Sequence, residues 1–229
     1  MKKIRIAVLM YSMDCGGIEK AAVSLLRALP EKEYEISLIM NKKKGSFLKY
    51  IPKHVNIQGL NVSENYKKRV EMGDRKWLLY SLAHGKIKQF FLTLDFIIYK
   101  FFKSRENATL KRLKQLSKQI YFSKDEFDFV LSFSNIEQLY HAVHYYNSNH
   151  IYYWLHCEID IQRDDYRKYS NLFQRCDKIF GVSQKATDSF YKYLPQFHDH
   201  TSTYRNLIDV KLGQEMSKKY IVKRPHKKW

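Results

Sequence analysis

Short apolar runs alternate with amphipathic segments along the chain, and this alternation predicts the fold. Ile4–Met10 is an apolar run rich in branched residues, which is typical of a buried parallel strand. Ile18–Leu29 has its apolar residues at helical spacing, and Pro30 ends that helix. Tyr34–Met40 is a second apolar run. Strand, helix and strand within about 35 residues indicate a right-handed βαβ unit.

The same alternation continues through the rest of the chain. Further strands are expected at Val55–Leu60, Phe127–Phe133, Ile151–Leu155 and Lys178–Val182, and Thr203–Ile208 completes the pattern. Further helices are expected at Trp77–Lys103, Ala108–Ile120, Ile136–Tyr146, Asp165–Arg175 and Gln184–Tyr193, the last with Ser183 as its N-cap. The sequence therefore predicts an α/β fold, a doubly wound, mostly parallel Rossmann-like sheet with helices on both faces. We expect one domain over residues 1–210, and a basic linker or the start of another domain over 211–229.

Composition narrows the class of protein. The 229 residues are 45% hydrophobic and 15% aromatic, which excludes long-range disorder. The three cysteines are far apart and odd in number, which argues against a disulfide framework and fits a reducing compartment. The basic start lacks a signal-peptide cleavage site, and no apolar run approaches the roughly 20 residues of a transmembrane helix. We expect a cytoplasmic protein that is soluble or peripherally bound to a membrane.

The formal charge of +18 favours anionic partners. Solvated helix faces explain most of the lysine and arginine clusters. The segment from Lys86 to Lys118 differs because aromatic residues interleave its basic ones, as in helices that lie on anionic lipid. A buried helix with a basic outer face is the alternative. Nucleic-acid binding is not expected, since no helix-turn-helix, zinc-finger or RNP pattern is present.

The first strand-to-helix turn carries the clearest chemical signal. Gly16 and Gly17 lie between the strand and the helix, where glycine lets the backbone approach a ligand and the helix N-terminus attracts a phosphate. The turn lacks the dinucleotide-binding and Walker A patterns. A tight turn that binds no ligand is the alternative.

His156 follows the strand Ile151–Leu155, at the sheet edge where open α/β sheets bind ligands. It could bind a sugar hydroxyl or stabilise developing charge, or it could be purely structural. The adjacent Cys157 would point the opposite way, which excludes a Cys-His nucleophile pair. No C-x-x-C spacing is present, which argues against a zinc site. We expect no metal and no organic cofactor.

Several segments together resemble family 4 glycosyltransferases of the GT-B fold. IRIAVLMYSMDCGGIEKAAVSLLRAL is similar to the start of that family, where a strand leads into GG-x-E and a helix, and Gly16, Gly17 and Glu19 match that motif. YYWLHCEID, RCDKIFGVSQKATDSF and YRNLIDV are similar to later segments, although Leu207 stands where the family has glycine. The resemblance covers the amino-terminal, acceptor-side domain.

The resemblance implies that a sugar moves from a nucleotide-sugar to an acceptor hydroxyl with retention of configuration. Gly16, Gly17 and Glu19 would face the donor phosphate and sugar, His156 would lie near the reacting centre, and Ser134 and Asn135 would border the acceptor site. The donor-binding carboxyl-terminal half has no counterpart here, so we expect the isolated chain to be inactive.

Two further expectations concern the cellular location of the protein and the alternatives to its function. Basic, aromatic helices would suit docking on the inner face of a membrane beside a lipid-linked acceptor, as in synthesis of a cell-surface polysaccharide such as a capsule. The alternatives are a non-catalytic Rossmann-like binding module and one half of a two-chain glycosyltransferase.

Overall fold

The structure, a computed structural model, describes residues 2–160 and 165–218. In this part of the chain seven strands form one sheet: β1 (Ile4–Met10), β2 (Tyr34–Met40), β3 (Asn56–Gly59), β4 (Glu126–Ser132), β5 (Asn147–Leu155), β6 (Lys178–Gly181) and β7 (Thr201–Thr203). The α-helices are α1 (Gly17–Ala28), α2 (Glu64–Met72), α3 (Asp74–Ala83), α4 (Ile87–Phe102), α5 (Arg105–Ser117), α6 (Ile136–Tyr145), α7 (Ser170–Phe173), α8 (Gln184–Tyr193) and α9 (Val210–Ser217).

The strand order confirms the predicted doubly wound fold. The order is β3-β2-β1-β4-β5-β6-β7, and each neighbouring pair is parallel. The chain leaves β1 in one direction through β2 and β3, then returns to the other side of β1 as β4. This reversal is the switch point at which open α/β sheets form a ligand-binding crevice beyond the carboxyl ends of the strands.

Both faces of the sheet are covered by helices. Alternate residues of β1 belong to two separate cores, with Ala7 and Leu9 on one face and Val8 and Met10 on the other. One core packs against α2, α5, α6, α7 and α8, and the other against α1 and α9. Two-sided burial is the reason that the central strands are continuous apolar runs.

The middle of the chain differs from the sequence prediction. The single helix expected over Trp77–Lys103 is two helices, because Gly85 takes a φ of 65°, in the left-handed region that favours glycine. The helix α2 was not predicted, since its residues are mostly charged. Between Asp165 and Arg175 the structure has a 3-10 turn, Tyr166–Tyr169, followed by the short α7.

Helices α3 and α4 form an additional layer outside the two cores of the sheet. Phe96 of α4 is buried beneath the guanidinium groups of Arg69 and Arg112, both of which bond to Asp74. Throughout residues 2–160 and 165–218, no helix combines the length and apolarity needed to cross a bilayer.

The last described helix packs on the domain. Leu212 of α9 is buried in the core beneath α1, and Arg27 of α1 pairs with Asp209 and Glu215. Residues 219–229, which include most of the basic tail, lie outside the described part of the chain. The domain division at residue 210 stays a prediction.

His141 makes the stability of the fold sensitive to acid. It is 1% exposed within α6, neither ring nitrogen has a partner among the described residues, and burial lowers its pKa to about 3. The unfolded chain binds this proton near about pH 6.5 while the folded chain does not, so stability falls as the pH drops below that value. We predict a loss of about 3 kcal/mol from His141 by about pH 4.5.

Urea denaturation of the wild type and His141→Leu at several pH values measures this contribution. The difference in unfolding free energy between the two proteins should change by that amount between neutral pH and about pH 4.5. His144→Gln, an exposed position one turn along α6, should follow the wild type. Equal acid dependence of wild type and His141→Leu would contradict the assignment.

Candidate functional site

The carboxyl edge of the sheet brings most of the predicted site residues to one side of the domain. Gly16 and Gly17 follow β1, Ser134 and Asn135 follow β4, and His156 follows β5. Since all these strands are parallel, their carboxyl ends meet at the same edge. The switch point between β1 and β4 lies among them.

The glycine turn is held in place by the loop that follows β2. The Met13 amide donates to the Lys44 carbonyl at 2.9 Å, and the Phe47 amide donates to the Met13 carbonyl at 3.0 Å. Gly45 has a φ of 130°, and a Cβ there would collide with the Met13 carbonyl. Only glycine permits this close approach, which links the two loops rigidly.

The two glycines of the turn have different surroundings. Gly17 is exposed at the first position of α1, and a Cβ added to it would meet nothing within 4 Å. Gly16 is the N-cap of α1 with extended backbone, and the Glu19 carboxylate lies against it. This carboxylate repels a phosphate at Gly16, whereas the open side of Gly17 remains accessible.

Positive charge lies beside this turn, at residues that the sequence showed only as a basic cluster. Lys42 follows β2 closely, and its ammonium lies 5.4 Å from the centre of the Tyr11 ring. Lys43 and Lys44 are exposed on the same loop. Among the described residues none of these three lysines pairs with a carboxylate within 4 Å. The loop therefore presents uncompensated charge next to the exposed helix N-terminus.

His156 lies against the end of the neighbouring strand. Its ring is 4.7 Å from that of Phe133, edge to face. Burial lowers the pKa of His156 to about 4, and the nearby Phe133 backbone partly opposes this. The ring nitrogen Nε2 is buried and has no partner within the described residues.

The predicted acceptor residues lie at the start of α6. The Asn135 side chain caps this helix, accepting from the Glu137 amide at 2.9 Å, and also lines a cavity. The cavity lies between α5 and the ends of β4 and β5, with Arg105, Glu137, Cys157 and Tyr166 also in its wall. Ser134, the residue before Asn135, is half-buried.

A buried polar network next to this cavity was missed by the sequence analysis. Glu137 Oε1 accepts from Asn41 Nδ2 at 2.8 Å and from the Tyr66 hydroxyl at 3.2 Å. The Asn41 side-chain carbonyl in turn accepts from Gln138 at 2.8 Å. The available sequence signal was modest: Asn41 ends an apolar strand, and Glu137 stands in the first turn of an otherwise apolar helix.

A metal site has no support in the part of the chain that the structure describes. No group of three or more His, Cys, Asp or Glu residues there has an arrangement that could hold a metal ion. Cys15 and Cys157 are exposed at the carboxyl edge, and Cys176 is buried.

Comparison with solved structures finds proteins of similar fold. HepE of Anabaena, solved with UDP and glucose, has a TM-score of 0.52 and 12% identity over 93% of this chain and 50% of its own. A glycosyltransferase of Rickettsia africae has a TM-score of 0.47 and 13% identity over 96% of this chain and 50% of its own. An alpha-glucosyltransferase solved with UDP-glucose and DNA also has a TM-score of 0.47, with 12% identity over 92% of this chain and 44% of its own.

The likeness to HepE supports the fold and leaves the activity open. At such identities the likeness shows that the chain has the Rossmann-like fold found in one half of GT-B proteins. The chain spans about half the length of these structures. No protein-family profile matches the sequence, and no curated protein sequence matches it significantly.

The state of His156 is directly measurable. Because its pKa is lowered to about 4, the ring should stay neutral from about pH 8 to about pH 5. Ring-nitrogen shifts in heteronuclear NMR spectra, assigned by comparison with His156→Gln, should show a neutral ring over this pH range. The acid- or urea-unfolded chain should titrate near about pH 6.5. A midpoint near that value in the folded chain would contradict the burial described for this ring.

Proposed function

We propose that this chain is the acceptor-side domain of a retaining family 4 glycosyltransferase, which moves a sugar from a nucleotide-sugar to an acceptor hydroxyl. The shared fold with half of HepE and the resemblance of the GG-x-E segment support this proposal. The observation that carries it is the open surface at Gly17, at the same sheet edge as the unpartnered His156 Nε2.

Gly17 is a glycine that the fold itself does not require. Neither a positive φ nor a close neighbour explains its presence, since a side chain here would point into open space. Close approach of a ligand to the backbone would explain it. A diphosphate suits this position because helix amides and the nearby lysines both attract anions.

The other predicted residues take complementary roles. The carboxylate of Glu19 lies beside Gly16. It would accept a hydrogen bond from a hydroxyl of the transferred sugar rather than contact a phosphate. His156 would lie near the reacting centre, with Nε2 as its unpartnered ring nitrogen. Ser134 and Asn135 would border the acceptor.

The proposed reaction depends mainly on electrostatics. The bond between the anomeric carbon and the diphosphate oxygen breaks through an oxocarbenium-like state, and the acceptor oxygen bonds to the anomeric carbon on the same face. The acceptor hydroxyl proton passes to the departing diphosphate. Stabilising the leaving diphosphate falls largely to a donor-binding half, so the isolated chain should not catalyse transfer. The nucleotide-sugar enters as a substrate, and we propose that no metal or organic cofactor takes part.

We further propose that helices α3 and α4 dock the domain on the cytoplasmic face of an anionic membrane, where a lipid-linked acceptor for a cell-surface polysaccharide would lie. Large apolar side chains are exposed along both helices, namely Leu79, Leu82, Ile87, Phe91, Leu92, Ile98, Phe101 and Phe102. Basic residues flank them, including Arg75, Lys76, Lys88, Lys100 and Lys103. Exposed aromatic groups among cations match the chemistry of an anionic lipid surface.

Gly17→Val tests the diphosphate site. NMR titration of the chain with UDP, the nucleotide bound by HepE, should shift the amide signals of Gly16, Gly17 and the Lys42–Lys44 loop. Valine should weaken UDP binding at least about tenfold by blocking approach to the backbone. It should leave the fold intact, because a Cβ meets no neighbour there.

Gly213→Val is the matched control, since Gly213 also lies in a helix with open space around its Cβ. This variant should bind UDP as the wild type does. UDP shifts located elsewhere, or binding unchanged by Gly17→Val, would contradict the proposed function.

Flotation with vesicles tests the membrane surface. The chain should float with phosphatidylglycerol-containing vesicles and much less with phosphatidylcholine alone. Combining Phe91→Ser with Phe102→Ser should reduce binding at least about tenfold, because each exposed ring would otherwise be buried in lipid. Ile208→Ser, at an 85% exposed position outside these helices, is the control. Equal flotation of all variants would exclude this face.

A further inference from the structure

One carboxylate at the carboxyl edge of the sheet, that of Glu137, has an oxygen without a hydrogen-bond partner among the described residues. Glu137 is the second residue of α6, immediately beyond the switch-point strand β4, and it lines the cavity between α5 and the ends of β4 and β5. Glu137 is partly buried, and it borders that cavity.

The orientation of this carboxylate is determined by three residues from three parts of the chain. Asn41 and Tyr66 both donate to Oε1, and Asn41 also donates to the Tyr66 hydroxyl at 3.0 Å. Gln138 donates to the Asn41 carbonyl oxygen, which fixes the direction of the Asn41 amide. A side chain held by such a network loses little further freedom when it binds a ligand.

The second oxygen of the same carboxylate is left for a ligand. In the described residues Oε2 has no hydrogen-bond partner, and it is not among the buried atoms that lack one. Oε2 is therefore not fully buried, and Glu137 is among the residues that line the cavity. A partly buried carboxylate with only one oxygen bonded is costly to maintain, because each unmade hydrogen bond there leaves desolvation uncompensated.

The groups around the cavity indicate what could bind. Arg105 and Glu106 both line it beside Glu137, so its wall carries charges of both signs. The Arg112 guanidinium lowers the pKa of Glu137, against the larger raising effect of burial. A carboxylate oxygen among polar and aromatic groups, with Tyr166 and Asn135 in the wall, fits a neutral donor such as a hydroxyl.

We propose that Glu137 is an acceptor-binding residue whose Oε2 accepts a hydrogen bond from a hydroxyl of the acceptor sugar, held in place by Asn41, Tyr66 and Gln138. This inference rests on the proposed function and extends it, because it makes the acceptor group a polyhydroxylated ring bound in this cavity. Glu137 contacts the ligand, whereas Asn41, Tyr66 and Gln138 are positioning residues.

Saturation-transfer NMR on the whole chain tests this proposal, with the methyl glycosides of glucose, galactose, mannose and N-acetylglucosamine as probes. At least one glycoside should receive saturation from the wild type. Glu137→Gln keeps the volume and an acceptor for Asn41 and Tyr66, but replaces the free oxygen with an amide donor. It should weaken binding about tenfold or more.

Two further variants separate ligand binding from folding. Tyr66→Phe removes one bond to Glu137 while keeping the buried ring, and should weaken glycoside binding by a smaller factor. Glu31→Gln, at an exposed position, is the control and should bind as the wild type does. Thermal melting of each variant shows whether the protein is folded.

The outcomes separate this proposal from the function on which it rests. Loss of glycoside binding in folded Glu137→Gln, with UDP binding unchanged, supports it. Glycoside binding that is equal in Glu137→Gln and wild type overturns it, as does the absence of saturation transfer to every probe. If UDP still binds at Gly17 in either of those cases, the proposed function stands without this acceptor site.

Discussion

The reversal of strand order at β1 is the constraint on which the rest of the structure depends. β1 pairs with β2 on one side and β4 on the other, so the connections after these strands turn away from each other. In open α/β sheets, a ligand-binding crevice forms at the carboxyl edge beside such a reversal. The glycine turn, the lysine loop, Asn135, Glu137 and His156 all follow strands that end at this edge.

Two different electrostatic environments lie along that edge of the sheet. The turn at Gly17 combines a helix N-terminus with three lysines, which attracts anions. Around Glu137 and His156, burial instead disfavours charge, raising the pKa of the carboxyl and lowering that of the imidazole. This division suits a substrate with an anionic leaving group at one end and neutral hydroxyls at the other.

Local sequence patterns predicted the strands and helices in which buried and exposed positions follow a regular period. The strands β1 and β2, and the helix α8 with its Ser183 cap, lie where the periodicity and cap signals place them. Helix α2 escaped prediction because only a few of its residues are apolar or buried, among them Tyr66 and Val70. The expected helix over Trp77–Lys103 broke at Gly85 because a single positive φ overrides favourable residues on both sides.

The candidate site was predictable only where its residues lie beside strand ends. Gly16, Gly17 and His156 could be found in this way, and their roles stay predictions. The Asn41–Tyr66–Glu137 network could not, because its members are separated by up to 96 residues and meet only through the strand order. Whether a buried histidine has a partner, as for His141, is likewise decided by tertiary packing.

The central claim is that this domain supplies the acceptor side of a glycosyl transfer. Transfer of labelled sugar from a nucleotide-sugar to an acceptor, measured with the chain mixed with a separately produced donor-binding half, tests it most directly. The account predicts that neither half is active alone, that the mixture is active, and that His156→Ala lowers its rate by about 100-fold or more. A mixture that binds both substrates but transfers nothing, or transfer that is indifferent to His156→Ala, would contradict it.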